Sequence, residues 1–162
     1  MPILTNDLVV GPGQVVSLVD DGYIVATGAT VSFTNEGTIN IVSSNPFGSF
    51  GFGQGLGNGP NTLFWNKAGA TFKLTATDPE GQATGIFGDG QQANVINDGL
   101  FEITAPLTAT GLRNLSDPTF SVTNNGVWKV TATTNWAIGI SSLGAITNTG
   151  TIDVAAGGKA TA

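Results

Sequence analysis

Apolar and polar residues alternate with period two in five short segments of this chain. Each segment carries an asparagine, a glycine soon after it, and then apolar positions separated by single polar ones. The segments are TNEGTINI (34–41), WNKAGATFKL (65–74), INDGLFEI (96–103), TNNGVWKV (123–130) and TNTGTIDV (147–154). Period two places alternate side chains on opposite faces of a strand. The recurrence of the pattern predicts a repeat architecture built from strands.

Three columns of apolar residues appear when the five segments are aligned on their glycines. The columns are Ile39, Phe72, Phe101, Trp128 and Ile152; Ile41, Leu74, Ile103, Val130 and Val154; and Phe33, Phe64, Val95, Val122 and Ile146. A polar column lies between the first two and contains Asn40, Lys73, Glu102, Lys129 and Asp153. Neighbouring strands lie about 4.8 Å apart, so stacking in this register would bring its opposite charges together. The columns therefore predict a register as well as a core.

The asparagine and the glycine predict a tight bend between two strands, because both tolerate left-handed backbone that β-branched residues resist. Stacked asparagines can also form a ladder of hydrogen bonds from coil to coil. A second element, a small residue followed by glycine and an apolar residue, recurs in each unit. Its copies are Thr27-Gly28-Ala29, Gly55-Leu56, Thr84-Gly85-Ile86, Thr110-Gly111-Leu112 and Ile138-Gly139-Ile140.

These patterns predict an all-β fold, a right-handed parallel β-helix of about five coils. Residues 26–155 form the repeats, residues 1–25 an atypical N-terminal cap, and residues 156–162 a C-terminal tail. A cap is expected because an open end exposes apolar core and unpaired strand edges. A hairpin-based sandwich is the competing architecture, but it does not need the same three-strand unit five times.

Composition excludes several kinds of function. The net charge is −6 with five basic residues, too few for the basic patch that nucleic-acid binding requires. The chain has no cysteine and no histidine, so disulfides, thiolate chemistry and histidine-based sites are excluded. No apolar run reaches the roughly 20 residues of a membrane helix. We therefore expect no nucleic-acid partner, no membrane insertion and no cofactor.

Two runs, ATGIFGDGQQANVINDGLFEI (83–103) and AIGISSLGAITNTGTIDV (137–154), resemble the repeats of autotransporter passenger domains and haemagglutinin-like adhesins. The resemblance covers about residues 26–155, and its motifs are degenerate. It implies export and display on, or release from, a Gram-negative cell. The expected location is therefore extracellular or on the bacterial cell surface.

Three functional interpretations follow. The first is a non-enzymatic structural or adhesive scaffold of a secreted bacterial protein, and the second is a subunit that forms an extracellular filament by end-to-end stacking. The third is a carbohydrate-active β-helix protein, which would need carboxylates within reach of one bond. The acids are scattered at about one per unit, and Asp78, Glu80, Asp89 and Asp98 fit solvated turns better than a converging cluster. We therefore expect no enzymatic activity.

Two candidate interaction surfaces stand out. Three aromatic residues lie in or next to the glycine-rich stretch 48–59, which we interpret as a loop between coils, and a fourth is a candidate for stacking on sugar or packing beside Ile138. These four are Phe47, Phe50, Phe52 and Trp136. A candidate end-stacking edge consists of Ile146, Thr151, Ile152, Asp153 and Val154. The expected partners are a second copy of the chain, surface glycans or host proteins.

Overall fold

A computed structural model of the chain describes residues 2–25, 30–46, 48–54, 62–88, 93–114 and 118–162. Within these ranges, the side chains at positions 24, 25, 50 and 52–54 are not part of the description. Every regular element in the described residues is a β-strand, and the strands run from β1 to β19 along the chain.

The strands form three parallel sheets. Sheet A contains β1 (Ile3–Leu4), β4 (Tyr23–Val25), β7 (Ser49–Gln54), β10 (Gln82–Gly88), β13 (Thr108–Asn114), β16 (Trp136–Ser142) and β19 (Lys159–Thr161). Sheet B contains β2 (Leu8–Val10), β5 (Ser32–Asn35), β8 (Thr62–Asn66), β11 (Ala93–Asn97), β14 (Ser121–Asn124) and β17 (Ala145–Asn148). Sheet C contains β3 (Val15–Val19), β6 (Thr38–Ser43), β9 (Thr71–Ala76), β12 (Leu100–Ala105), β15 (Val127–Ala132) and β18 (Thr151–Ala156).

The chain follows the path of a β-solenoid. It passes from sheet B to sheet C to sheet A and then returns to sheet B one layer further on, so each strand pairs in parallel with the strand one coil away. Five coils carry the asparagine repeat, from β5–β7 to β17–β19. The prediction of an all-β, parallel solenoid is confirmed, and the right-handed sense of the coil stays a prediction.

The two terminal segments also contribute strands. In the segment 1–25, β1 pairs with β4, β2 with β5, and β3 with β6, so one further coil precedes the repeats although it lacks their asparagine. Val10 occupies the position that pairs with Asn35. In the segment 156–162, β19 pairs with β16. The role of residues 1–25 as a cap stays a prediction.

The three apolar columns stack in the predicted register. Phe72 pairs with Phe101, which pairs with Trp128, and all three are fully buried. The ring centroids of Phe72 and Phe101 are 5.2 Å apart, and those of Phe101 and Trp128 are 4.1 Å apart. Burial of aromatic side chains supplies the largest apolar areas in a core, so this stack on the inner face of sheet C is the centre of the solenoid.

The glycine-rich stretch 48–59 does not form a loop throughout, and our interpretation was wrong for Ser49–Gln54. These residues form β7 in sheet A. Phe50 pairs with Thr84 and Phe52 pairs with Ile86. The second copy of the small-Gly-apolar element is therefore Phe50-Gly51-Phe52, and Gly55-Leu56 lies outside the described residues.

Glycine is required in sheet A because the backbone passes close to the aromatic stack. A Cβ atom on Gly51 would lie 2.8 Å from Phe72 Cε1, and one on Gly111 would lie 2.2 Å from Trp128 Nε1. Such approaches are not tolerated between real side chains, so these positions exclude larger residues. A glycine-rich run in this chain can therefore be a strand that crosses the core at short range.

The asparagines form a continuous ladder along the bend between sheets B and C. The side-chain amide of each of the first four asparagines donates to the Oδ1 atom of the next one. The Nδ2 to Oδ1 distances are 2.8, 2.8, 2.7 and 2.7 Å in chain order. The ladder runs through Asn35, Asn66, Asn97, Asn124 and Asn148. Each of the first four also donates to a backbone carbonyl of the next coil, at 2.9 to 3.0 Å. The predicted ladder is confirmed.

Substitution of Asn97 by alanine tests the energetic weight of the ladder. Asn97 is fully buried, and its loss leaves partners unsatisfied in both neighbouring coils, so we expect a cost of about 2–4 kcal/mol in the free energy of unfolding. The matched control is Asn148→Ala at the exposed end of the ladder, which should cost less than about 1 kcal/mol. Chemical denaturation of both variants measures the difference. Equal losses would show that the ladder does not depend on burial.

Candidate functional site

The polar column of sheet C forms a ladder of charges on the outside of the solenoid. Lys73, Glu102 and Lys129 occupy paired positions on three successive strands. Glu102 accepts from Lys73 Nζ at 3.1 Å and from Lys129 Nζ at 3.3 Å. Burial would raise the pKa of Glu102, but hydrogen bonds and attraction from the two lysines outweigh it and hold the pKa below its usual value. The predicted register is confirmed, and Glu102 links three coils.

Replacement of Glu102 by lysine should place three like charges in a row. We expect a loss of roughly 1 kcal/mol that is larger at low salt than at high salt, because salt screens exposed charges. The control Glu80→Lys makes the same change of charge in an exposed turn and should have little effect. Thermal unfolding at two salt concentrations measures both variants, and equal losses at the two salt concentrations would contradict the charge ladder.

The same ladder has a predicted pH dependence. The pKa of Glu102 is lower in the folded protein than its ordinary value of 4.5. Its stabilisation is therefore present above the unfolded-state pKa and is lost as the pH falls through the folded-state pKa. The difference in stability between the natural chain and Glu102→Gln should accordingly shrink on acidification. A difference that grows as the pH falls would contradict the assignment.

Other carboxylates also bridge neighbouring coils. Lys67 forms an ion pair with Glu36 of the preceding coil, and its Nζ atom lies 4.9 Å from the centre of the Trp65 ring. Asp98 accepts from Trp65 Nε1 and from Asn125 Nδ2, each at 2.7 Å. These contacts tie adjacent coils together along the bend between sheets B and C.

The acids that we considered as a cluster lie at different bends. Asp78 and Glu80 lie between β9 and β10, where sheet C passes to sheet A, whereas Asp98 lies between β11 and β12, where sheet B passes to sheet C. Asp89 lies outside the described residues. In the described part of the chain, no group of three or more acidic side chains is placed to hold a metal ion. No helix there has the length and apolar character to cross a bilayer.

The outer face of sheet A carries a groove made from three columns of paired residues. The columns are Gln82, Thr108, Trp136 and Lys159; Thr84, Thr110, Ile138 and Thr161; and Arg113 and Ser141. A cavity of about 310 Å³ lies over the first three strands of this set, and a cavity of about 110 Å³ lies over the last two. Ile138 lines both cavities. We call this surface the sheet A groove.

The candidate aromatic residues have different positions. Phe47 lies outside the described residues, as do the side chains of Phe50 and Phe52 on β7. Trp136 lies at the start of β16 with 55% of its surface exposed. It borders the smaller cavity together with Ile138, so it is available to a ligand rather than covered by the core.

The candidate end-stacking residues all lie on the last coil. Ile146 is on β17, with 46% of its surface exposed, although the corresponding Val122 one coil earlier is buried. The other four are on β18, where exposed and half-buried positions alternate: Thr151, Ile152, Asp153 and Val154. The apolar columns of the core therefore reach the surface at this end of the described chain.

Sequence reasoning missed Arg113 and Lys159 as members of a site. They are far apart in the chain and come to the same sheet only because the coils stack. One signal was present, since no strand of sheet A contains aspartate or glutamate. A comparison of charge between the three strands of each unit shows that the third strands together carry basic residues and no acidic ones.

The fold and the paired columns define a parallel β-solenoid with a groove on the outer face of sheet A. No family model, curated protein or solved structure matches the chain significantly. The likeness to autotransporter passenger domains and haemagglutinin-like adhesins therefore stays an expectation from the residues.

Proposed function

We propose that this chain is a structural scaffold with an adhesive role in an extracellular or cell-surface bacterial protein, and that it is not an enzyme. The observation that carries the proposal is the unbroken asparagine ladder from Asn35 to Asn148. It joins five coils through hydrogen bonds that are buried except at the last asparagine, and buried bonds are costly to leave unmade. A solenoid held together in this way is suited to present an extended surface.

The charged side chains support the same proposal. Glu102 holds two lysines, Glu36 holds Lys67, and Asp98 accepts two hydrogen bonds. General acid–base catalysis instead needs groups that are free to exchange a proton with a substrate. The carboxylates of Glu36, Asp98 and Glu102 therefore serve cohesion between coils. The sequence resemblance to secreted adhesins supports the extracellular location.

Attachment and turnover measured together test this proposal. Bacteria that display the chain on a carrier should attach better to polysaccharide-coated glass than bacteria that display the carrier alone. Incubation of the purified chain with the same polysaccharide should release no reducing ends and no unsaturated products, because the described acids are spread over several bends and strands instead of converging on one substrate bond. Turnover that is abolished by Asp78→Asn or Glu80→Gln would overturn the proposal, as would attachment equal to that of the carrier.

End-to-end assembly is a second candidate, and it is favoured by the exposure at the two ends of the solenoid. Asn148, the last asparagine of the ladder, donates to the carbonyl of Gly150 in its own coil. Apolar side chains that face the core are only partly covered at both ends of the solenoid: Leu8, Val16 and Leu18 on the first coil, and Ile146, Ile152 and Val154 on the last. A second copy stacked head to tail would continue sheets B and C, with its β2 beside β17 and its β3 beside β18. Its two-residue β1 would give way to β19, because sheet A has seven strands and the other two sheets have six. Unpaired strand edges are templates for such pairing.

Ile146→Lys should weaken this association, because it places a charge in the apolar column that the second copy would cover. We expect the self-association constant to fall at least about tenfold. The matched control is Thr147→Lys, which adds the same charge on the outward side of the same strand. Sedimentation velocity over a range of concentrations measures both variants. A chain that stays monomeric at millimolar concentration, or an equal effect of the two substitutions, would exclude end-to-end assembly through this face.

A further inference from the structure

The cations of this chain fall into two groups. Lys67, Lys73 and Lys129 form ion pairs with carboxylates of neighbouring coils. Arg113 and Lys159 lie on sheet A, and they form no ion pair with any acid among the residues that the structure describes. The described strands of sheet A carry these two positive charges and no negative one, on a chain of net charge −6.

The three tryptophans divide in the same way. Trp128 is buried and donates to the carbonyl of Gly139 at 3.2 Å. Trp65 donates to Asp98, and Lys67 lies over its ring. Trp136 is exposed and pairs along the sheet with Thr108 on one side and Lys159 on the other. The exposed tryptophan and the two cations without an ion pair to a described acid therefore share the sheet A groove.

The remaining lining of the groove is rich in groups that exchange hydrogen bonds with hydroxyls. The larger cavity is bordered by Thr84, Thr110, Ser141 and Gln82, with Arg113 at one side. Hydroxyl and amide side chains can each donate and accept, and an arginine can bind an acidic group through two parallel hydrogen bonds. An exposed indole ring offers a flat apolar surface with a negative face, which fits the weakly positive C–H face of a sugar ring.

We propose that the sheet A groove binds an acidic polysaccharide, carboxylated or sulfated, with a sugar ring on Trp136 and acidic groups at Lys159 and Arg113. Arg113 is five residues beyond Thr108, which pairs with Trp136. The two columns are therefore about 16 Å apart along the strands. The ligand is therefore an oligosaccharide segment rather than a single sugar. This inference rests on the proposed adhesive scaffold and names the class of ligand that it holds.

An acidic protein is the competing ligand, and the groove favours a sugar. Protein interfaces bury a well-packed apolar core with aromatic anchors, whereas this surface surrounds one tryptophan with threonine, serine and glutamine. Two cations also fall far short of a nucleic-acid footprint. The density of hydroxyl-bonding groups beside a single stacking ring matches a polymer that carries many hydroxyls and spaced negative charges.

Isothermal titration calorimetry of the full chain with four polymers tests the proposal. Polygalacturonate and dextran sulfate should bind and lose affinity as salt is added, and these two arms distinguish a carboxylated from a sulfated ligand. Neutral dextran and poly-glutamate should bind at least about tenfold more weakly, since each lacks one of the two features that the groove recognises.

Four variants locate the binding. Arg113→Gln should raise the Kd for the acidic polymer at least about tenfold, and Trp136→Thr about fivefold. The controls are Lys129→Gln, which removes the same charge from sheet C, and Leu143→Thr, which removes another exposed apolar side chain. Both controls should leave the Kd unchanged.

Each contrary result overturns the proposal. If dextran binds as tightly as dextran sulfate, the cations have no role in binding. If Lys129→Gln weakens binding as much as Arg113→Gln does, the polymer is attracted to net charge alone. Tight binding of poly-glutamate that depends on Arg113 assigns the groove to an acidic protein. If neither acidic polymer binds, the groove is not a binding site for acidic polysaccharide. The proposed scaffold function is tested separately, by self-association through Ile146 and by the turnover assay.

Discussion

A chain that bends between sheets in every coil must provide hydrogen-bond partners for the backbone N–H and C=O groups at each bend. A buried polar group without a partner costs about 1–3 kcal/mol. At the bend between sheets B and C, the asparagine amide does this for the carbonyl of the next coil and at the same time donates to the next asparagine. The aromatic stack and the charge ladder both lie in the coils that repeat this bend. In the first coil, Val10 occupies the position of the asparagine, so the ladder begins one coil later, at Asn35.

The three sheets have different roles. Sheet C supplies the aromatic stack on its inner face and the lysine–glutamate ladder on its outer face. The bend between sheets B and C holds the asparagines and the contacts of Asp98. Among the described residues, the strands of sheet A form no ion pair and contain no acid, and its glycines bring its backbone toward the core. The ion pairs between coils are therefore concentrated on sheet C and at the bend between sheets B and C.

Much of this fold could be predicted from the sequence, because strand side chains repeat with a period of two and every coil repeats the same pattern. The partners of Phe101 and of Glu102 followed directly from alignment on the glycines. The position of β7 could not be predicted in this way. A run of glycines in a sequence is typical of a loop. The reason for glycine at position 51 is the close approach of Phe72, which is visible only in the folded structure.

The sheet A groove was harder to predict for a related reason. Trp136 has no apolar column to join, so period two alone does not decide whether it faces the core or the solvent. Its neighbours Thr108 and Lys159 are set by stacking across three coils. Recognition sites on a solenoid are made of residues that are distant in sequence, and a pattern within one segment does not show them.

Coil length varies in this chain although the register does not. The glycines of successive repeats are separated by 32, 30, 27 and 24 residues. The bend that carries the asparagines is short in most coils, as at residues 98–99 and 125–126, whereas the connections from sheet C to sheet A range from residues 77–81 to residues 106–107. Changes of length are thus absorbed mainly away from the ladder. A lineage of such proteins can gain or lose residues where the chain enters sheet A, and so diversify what that edge displays, while every coil keeps its place in the stack.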